Sequence, residues 1–170
     1  MIVGTSGCGK TTLGHALSKL TGHRLVDLDS IYWLPNWTKR PDDEFFALLQ
    51  KEVASDNWII CGNYSRARAG IWAQADMVIW LDLPLTTCLW RGFKRSFLAW
   101  VTQTPCCNYE TAQRLFGKDS ILWWIYSTYN RRKNSYSELF SQSSNDKRFI
   151  RLKNSKEVER FCAKSCKIFP

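Results

Sequence analysis

The chain has 170 residues, 45% hydrophobic and 23% charged, an ordinary globular balance with length enough for one domain and a real core. No apolar run approaches the roughly 18 residues needed to cross a bilayer, and no basic-then-apolar leader opens the chain, so the expected location is the cytoplasm, without membrane association. The formal charge of +9 fits a nucleic acid or a small anionic ligand as partner and excludes neither.

Met1-Ile2-Val3 is apolar and runs directly into Gly4, which predicts a first strand. It is short beside the about five or six residues usual for a buried strand, so either it is clipped or a few native residues are missing before it. Gly4-Thr5-Ser6-Gly7-Cys8-Gly9-Lys10-Thr11 matches GxxxxGK[ST] at every fixed position. Glycines let the backbone curl so that successive N–H groups point at phosphate oxygens, and the helix opening at Lys10 adds its positive end. In such a loop the lysine reaches the β- and γ-phosphates and the hydroxyl of Thr11 ligates magnesium. The pattern predicts ATP and Mg²⁺ as ligands, with Gly4 through Thr12 as the binding segment.

Leu13, Ala16, Leu17 and Leu20 recur at helical spacing from Lys10 to Leu20, and Gly22 supplies a stop. Arg24 to Asp29 reads as a second strand carrying two carboxylates, Asp27 and Asp29, at its end. As residues i and i+2 of a strand they share a face and can point into one cleft; a turn role for them is the other reading. Ile31 to Lys39 reads as an aromatic loop with Trp33 and Trp37. Pro41-Asp42-Asp43-Glu44 starts a helix that continues through Phe45, Leu49 and Val53. Trp58 to Cys61 and Met77 to Leu83 are apolar strands, the latter interrupted by Asp82.

Pro84 stops that strand and Thr86 can cap a helix through Leu89, Trp90, Phe93, Phe97 and Trp100. Thr102 to Asn108 breaks the pattern, and Asp119 can cap a further helix, Ile121 to Tyr129. After a polar loop from Ser141 to Asp146, Arg148 to Leu152 reads as the fifth strand and Lys156 to Lys164 as the closing helix. Strands alternating with helices predict an α/β fold on a mainly parallel sheet. Seven cysteines (8, 61, 88, 106, 107, 162 and 166) without a CxxC pair read as reduced thiols. Two basic clusters, Arg91-Lys94-Arg95 and Arg131-Arg132-Lys133, read as a solvated surface or as phosphate-directed side chains. Six of the tryptophans, Trp33, Trp37, Trp90, Trp100, Trp123 and Trp124, fall near the expected site, as core or as a stacking platform.

The segments DLDSIYWLPNW, WIICGNYS, ADMVIWLDLPLTTCLWRGFKRS and RFIRLKNSKEVERF together resemble the DNA topology modulation (FlaR-like) proteins, small P-loop proteins related to adenylate kinase and shikimate kinase. The resemblance runs over nearly the whole chain. It implies a three-layer P-loop kinase fold as one domain over 1–170, with a five-stranded sheet in the order 2-3-1-4-5. A substrate flap over about 30–57 and a lid over about 91–133 would sit beyond the strands' carboxyl ends.

The resemblance also implies roles. Arg91 and Arg95, four apart on one helix face, match two kinase arginines, the first beside the adenine and the second on the phosphates. Asp27 and Asp29 resemble the acidic pair of shikimate kinase, where one carboxylate binds the acceptor or the metal. Arg66 lies one residue out of register with an acceptor-binding arginine. Where relatives carry an acid at the end of the strand beside the loop strand, this chain has Cys61, so Asp29 or Asp27 takes over the metal or turnover is weak; Asp82 is a further acid nearby. The expected activity is transfer of the ATP γ-phosphate to an unidentified small acceptor, with Lys10, Asp29, Arg91 and Arg95 catalytic. Asp27, Asp29 and Arg66 would bind the acceptor, and Thr11 and Asp29 the metal. The alternatives are a nucleotide-responsive DNA-binding protein, although no base-reading motif is present, or a weak ATPase.

Overall fold

Apolar segments separated by helical ones return parallel, because a parallel pair needs a crossover long enough to hold a helix. The computed structural model describes residues 1–35, 38–102, 117, 120–141 and 148–168. In it β1 (Ile2–Gly4), β2 (Arg24–Asp27), β5 (Trp58–Cys61), β6 (Met77–Leu81) and β7 (Arg148–Leu152) form one parallel sheet in the order β2-β5-β1-β6-β7. Two-residue strands β3 (Trp33–Leu34) and β4 (Thr38–Lys39) pair antiparallel with each other outside it. Counting the sheet strands alone, the order is the expected 2-3-1-4-5. The register sets Asp27 opposite Cys61, Gly4 opposite Leu81, and Leu81 opposite Leu152, so the carboxyl ends form one edge.

Both faces of this sheet are covered. Ile2, Ile59, Ile79 and Leu81 pack with Leu13 and Leu17 of α1 (Lys10–Thr21), Phe161 of α7 (Ser155–Ile168) and Ile125 of α6 (Ile121–Ser141). Their strand neighbours Val3, Ile60, Val78 and Trp80 face the other way, alternating with period two. They meet Phe45, Leu49 and Val53 of α3 (Asp42–Val53), Ile71 of α4 (Ser65–Gln74) and Tyr136 of α6. Helix α5 (Leu85–Thr102) turns Cys88, Gly92 and Ser96 inward and packs on α6. No helix among the described residues is long and apolar enough to cross a membrane.

Trp80 is the largest fully buried side chain among the described residues, 2% exposed, with ring centroids 5.8 Å from Tyr136 and 5.2 Å from Phe140 and the Arg151 guanidinium 4.4 Å above it. Trp80→Ala is expected to lower unfolding stability by about 3–5 kcal/mol, read as a lower urea midpoint at unchanged slope. A shift below about 1 kcal/mol would mean that the core collapses onto the space.

Several boundaries differ from expectation. The second strand stops at Asp27 rather than Asp29, because the Asp27 carboxylate accepts the Asp29 N–H at 3.0 Å and starts a short helix, α2 (Leu28–Tyr32). The stretch read as a loop contains the end of α2 and the β3–β4 pair, with Arg40 N–H on Tyr32 O at 2.9 Å; Asn36 and Trp37 lie outside the described residues. Helix α4 was not foreseen, since its sequence carries no apolar stripe. Helix α6 runs to Ser141 instead of ending at Tyr129, because Tyr136, Leu139 and Phe140 continue to pack inward. The pattern break beyond Thr102, the Asp119 cap, Cys106 and Cys107, and the polar loop beyond Ser141 lie outside the described residues.

Candidate active site

Between β1 and α1, the segment from Gly4 to Thr11 wraps over the carboxyl edge of the sheet. Gly7 has φ +77°, and a Cβ there would stand 2.4 Å from the Cys88 carbonyl oxygen, so the curl admits only glycine. The Cys8 side chain is buried, and burial raises its thiol pKa, leaving a neutral packing group under the loop. Lys10 Nζ donates to the carbonyls of Gly4 and Thr5, 3.1 Å each, which holds the ammonium against the loop. Thr11 and Thr12 stand exposed in the first turn of α1.

Thr11 Oγ1 donates to Asp27 Oδ2 at 2.8 Å, and Cys61 Sγ lies 3.9 Å from the same hydroxyl. Burial, with the Asp27 charge adding to it, pushes the Cys61 thiol up to about 12 and keeps it neutral at physiological pH. The carboxylate beside Thr11 is therefore that of Asp27. Asp29, paired with Thr11 in the sequence reading, instead accepts the Tyr64 hydroxyl at 2.8 Å. The two acids straddle the β2–α2 junction and do not share a strand face. Burial first, then the Asp29 charge and hydrogen bond, raises the Tyr64 pKa, so the phenol remains a donor. Among the described residues no group of three or more His, Cys, Asp or Glu could hold a metal ion. Thr11 and Asp27 are hard oxygen donors, and one hydroxyl with one carboxylate suits a Mg²⁺ whose other ligands are phosphate oxygens and water. Asp82 does not serve here: its side chain is buried and accepts from Arg151 Nε at 3.0 Å and Nη2 at 2.6 Å, with Lys133 Nζ at 3.9 Å.

The arginines divide. Arg91 donates to Cys8 O and to Ser155 Oγ, 3.0 Å each, bracing the loop backbone against the start of α7. Arg95, one turn on, is exposed. Arg66 is 68% exposed and ion-paired with Asp42 at the start of α3, so it is not gathered to the loop. Arg132, given no individual role from the sequence, reaches Ser6 Oγ at 3.4 Å from α6, with its guanidinium 5.4 Å from the Trp124 ring centroid. Burial lowers its pKa, and the Asp29 carboxylate is among the charges opposing that shift. The signal for Arg132 was its spacing: Tyr129, Arg132 and Tyr136 share one face of α6, and Tyr129 donates to Leu83 O at 3.0 Å. Asn63, which no loop motif marks, hydrogen-bonds Gly4 directly. Trp90, Trp100, Trp123 and Trp124 are exposed rather than core.

No protein-family model matches the chain. Over 98 residues it is 36% identical to the uncharacterised protein YqaC of Bacillus subtilis (strain 168), a match covering 56% of this chain and 55% of that one. Over 106 residues it is 33% identical to shikimate kinase of Synechococcus elongatus, covering 53% of this chain and 55% of the enzyme. The chain thus spans about half the length of the curated relatives it matches. Among solved structures, an unliganded sugar kinase from Janibacter sp. HTCC2649 superposes with a TM-score of 0.51 at 16% identity, covering 99% of this chain and 92% of that one. With its five-stranded parallel sheet, flanking helices and phosphate loop at the carboxyl edge, the chain has the fold of the P-loop kinases.

Proposed function

We propose that the chain is an ATP-dependent kinase that transfers the γ-phosphoryl group to a small hydroxyl-bearing acceptor. The observation that carries this reading is the Gly4–Thr11 loop with Asp27 on Thr11 and Arg132 on Ser6: three groups of phosphoryl-transfer chemistry converge on one turn of backbone. In this reading residues 1–170 act as one domain, with the flap over about 30–57 and the lid over about 91–133, in the manner of the DNA topology modulation (FlaR-like) proteins that the sequence resembles.

The loop N–H groups and the start of α1 bind the phosphates, and Lys10 neutralises charge on the transferred group. Thr11 and Asp27 would hold Mg²⁺, which would supply positive charge to offset that of the phosphates. Asp29 orients the acceptor hydroxyl and takes its proton as oxygen bonds to the γ-phosphorus; the bond from phosphorus to the β–γ bridging oxygen breaks and ADP leaves. Arg95 and Arg132 offset the charge of the transferred group, Arg91 braces the loop, and Arg66 stands at the acceptor side. Arg132→Ala is expected to lower kcat about a hundredfold while weakening ATP binding far less. Equal losses in the two would assign Arg132 to ground-state binding.

The test is ADP release from Mg·ATP against a panel of nucleosides, nucleoside monophosphates, sugars and hydroxy acids, with Lys10→Ala as control. Acceptor-dependent release supports the kinase reading. Release that no acceptor alters would favour the weak ATPase, and no ATP binding would overturn both.

A second reading has one observation behind it. Helix α5 holds no acidic residue and exposes Trp90, Phe97 and Trp100 beside Lys94 and Arg95, with Trp90, Phe93, Phe97 and Trp100 in successive ring contacts of 6.1, 5.8 and 5.9 Å. Aromatic rings among basic groups suit single-stranded nucleic acid. Binding with a steep salt dependence would support it, and no binding at moderate salt would remove it.

A further inference from the structure

The strand β5 gives out before the strand it supports. Gly62 N–H donates to Ile2 O at 3.3 Å, and past that rung β1 has no backbone partner on this edge among the described residues, although on its other edge Gly4 still pairs with Leu81 of β6. The chain turns away at Gly62, where φ is +151° and a Cβ would stand 2.6 Å from Leu28 Cβ. That turn sends the next side chain back toward the gap. Asn63 Oδ1 accepts the Gly4 N–H at 3.2 Å, and Asn63 Nδ2 donates to Gly4 O at 2.5 Å. A side-chain amide thereby pairs with both the N–H and the carbonyl of the first loop residue, the carbonyl also accepting from Lys10.

The amide is itself held. Tyr136, 4% exposed on α6, donates its hydroxyl to Asn63 Oδ1 at 2.9 Å. The oxygen thus receives two donors and the nitrogen faces a carbonyl, so a flipped amide would set donor against donor and oxygen against oxygen. One turn earlier on the same helix face, Arg132 reaches Ser6. Helix α6 therefore grips the loop at two points, directly at Ser6 and through Asn63 at Gly4.

We propose that Asn63 and Tyr136 are positioning residues for the phosphate loop: Asn63 extends the sheet by one side-chain rung, and Tyr136 makes that rung depend on the seating of α6. This rests on the reading of the loop as a triphosphate site. The loop N–H groups aim at phosphate only while Gly4 is held, so whatever seats α6 tightens ATP, and ATP by reciprocity seats α6. Neither residue touches the transferred group.

The test is the ATP Kd of the full chain by calorimetry for wild type, Asn63→Ala, Tyr136→Phe and the double variant, with Tm for each. Asn63→Ala is expected to weaken ATP about tenfold or more, and Tyr136→Phe about threefold. In the double variant the loss should equal that of Asn63→Ala alone, because the phenol acts through the amide. Tyr136→Phe keeps the buried ring, so it reads the relay even if Asn63→Ala folds poorly. Asn63→Asp keeps the acceptor for Gly4 N–H and Tyr136 but turns an acceptor on Gly4 O; it should bind ATP more weakly than Asn63→Ala. Lower Tm with wild-type Kd would overturn the relay, as would losses that multiply in the double variant. A wild type that does not bind ATP would instead overturn the triphosphate reading, and the relay with it.

Discussion

Lys10→Ala is expected to cut ATP turnover about a thousandfold, equivalent to about 4 kcal/mol of transition-state stabilisation. The size follows from where the ammonium stands. Its two partners are the carbonyls of Gly4 and Thr5, neutral acceptors that fix its position without cancelling its charge. That charge is available to phosphate oxygens over the loop, where surrounding protein weakens the screening that water would impose. Alanine removes the charge and also leaves the Gly4 carbonyl to Asn63 alone. Lys10→Arg should rescue little, because a planar guanidinium cannot take the place of a compact ammonium between two carbonyls. Single-turnover ADP release with a parallel melting curve is the measurement. A variant that folds and keeps more than about a tenth of the rate would remove Lys10 from the chemistry.

What could be read from the sequence was mostly what is local. The phosphate loop is eight consecutive residues, and its chemistry depends on their order alone. The strands announced themselves as short apolar runs; their order came from the resemblance, and the registry between Gly4 and Leu81 follows it. Contacts across long separations were another matter. Arg132 meets Ser6 over 126 positions, and Tyr136 meets Asn63 over 73, so nothing in either neighbourhood points to the other. Tryptophans show the same limit. Trp80 is sealed in the core while Trp90 is 64% exposed, and only the surrounding layers decide which. Helix α4 was invisible because Ser65–Gln74 has no amphipathic period. The acids at the β2–α2 junction turned on one hydrogen bond: Asp27 could end a strand or cap a helix, and its grip on the Asp29 N–H chose the cap.

That choice separates the two carboxylates and yields the sharpest expected contrast. Asp27→Asn should raise the Mg²⁺ concentration needed for half-maximal turnover and lower the rate about a hundredfold or more, since the neutral amide no longer offers charge beside Thr11. Its oxygen can still accept the Asp29 N–H, so the junction of β2 and α2 should survive. Asp29→Asn should leave the Mg²⁺ dependence and ATP affinity near wild type. It should reduce transfer to the acceptor about a thousandfold, because an amide can take the Tyr64 hydrogen bond but cannot take a proton from the attacking hydroxyl. The measurement is ADP release across a MgCl₂ titration, with and without acceptor, for both variants. If instead Asp29→Asn moves the metal dependence and Asp27→Asn does not, the metal belongs to Asp29 as the sequence alone suggests. The 2.8 Å contact between Thr11 and Asp27 would then be a structural tie that opens before the metal binds.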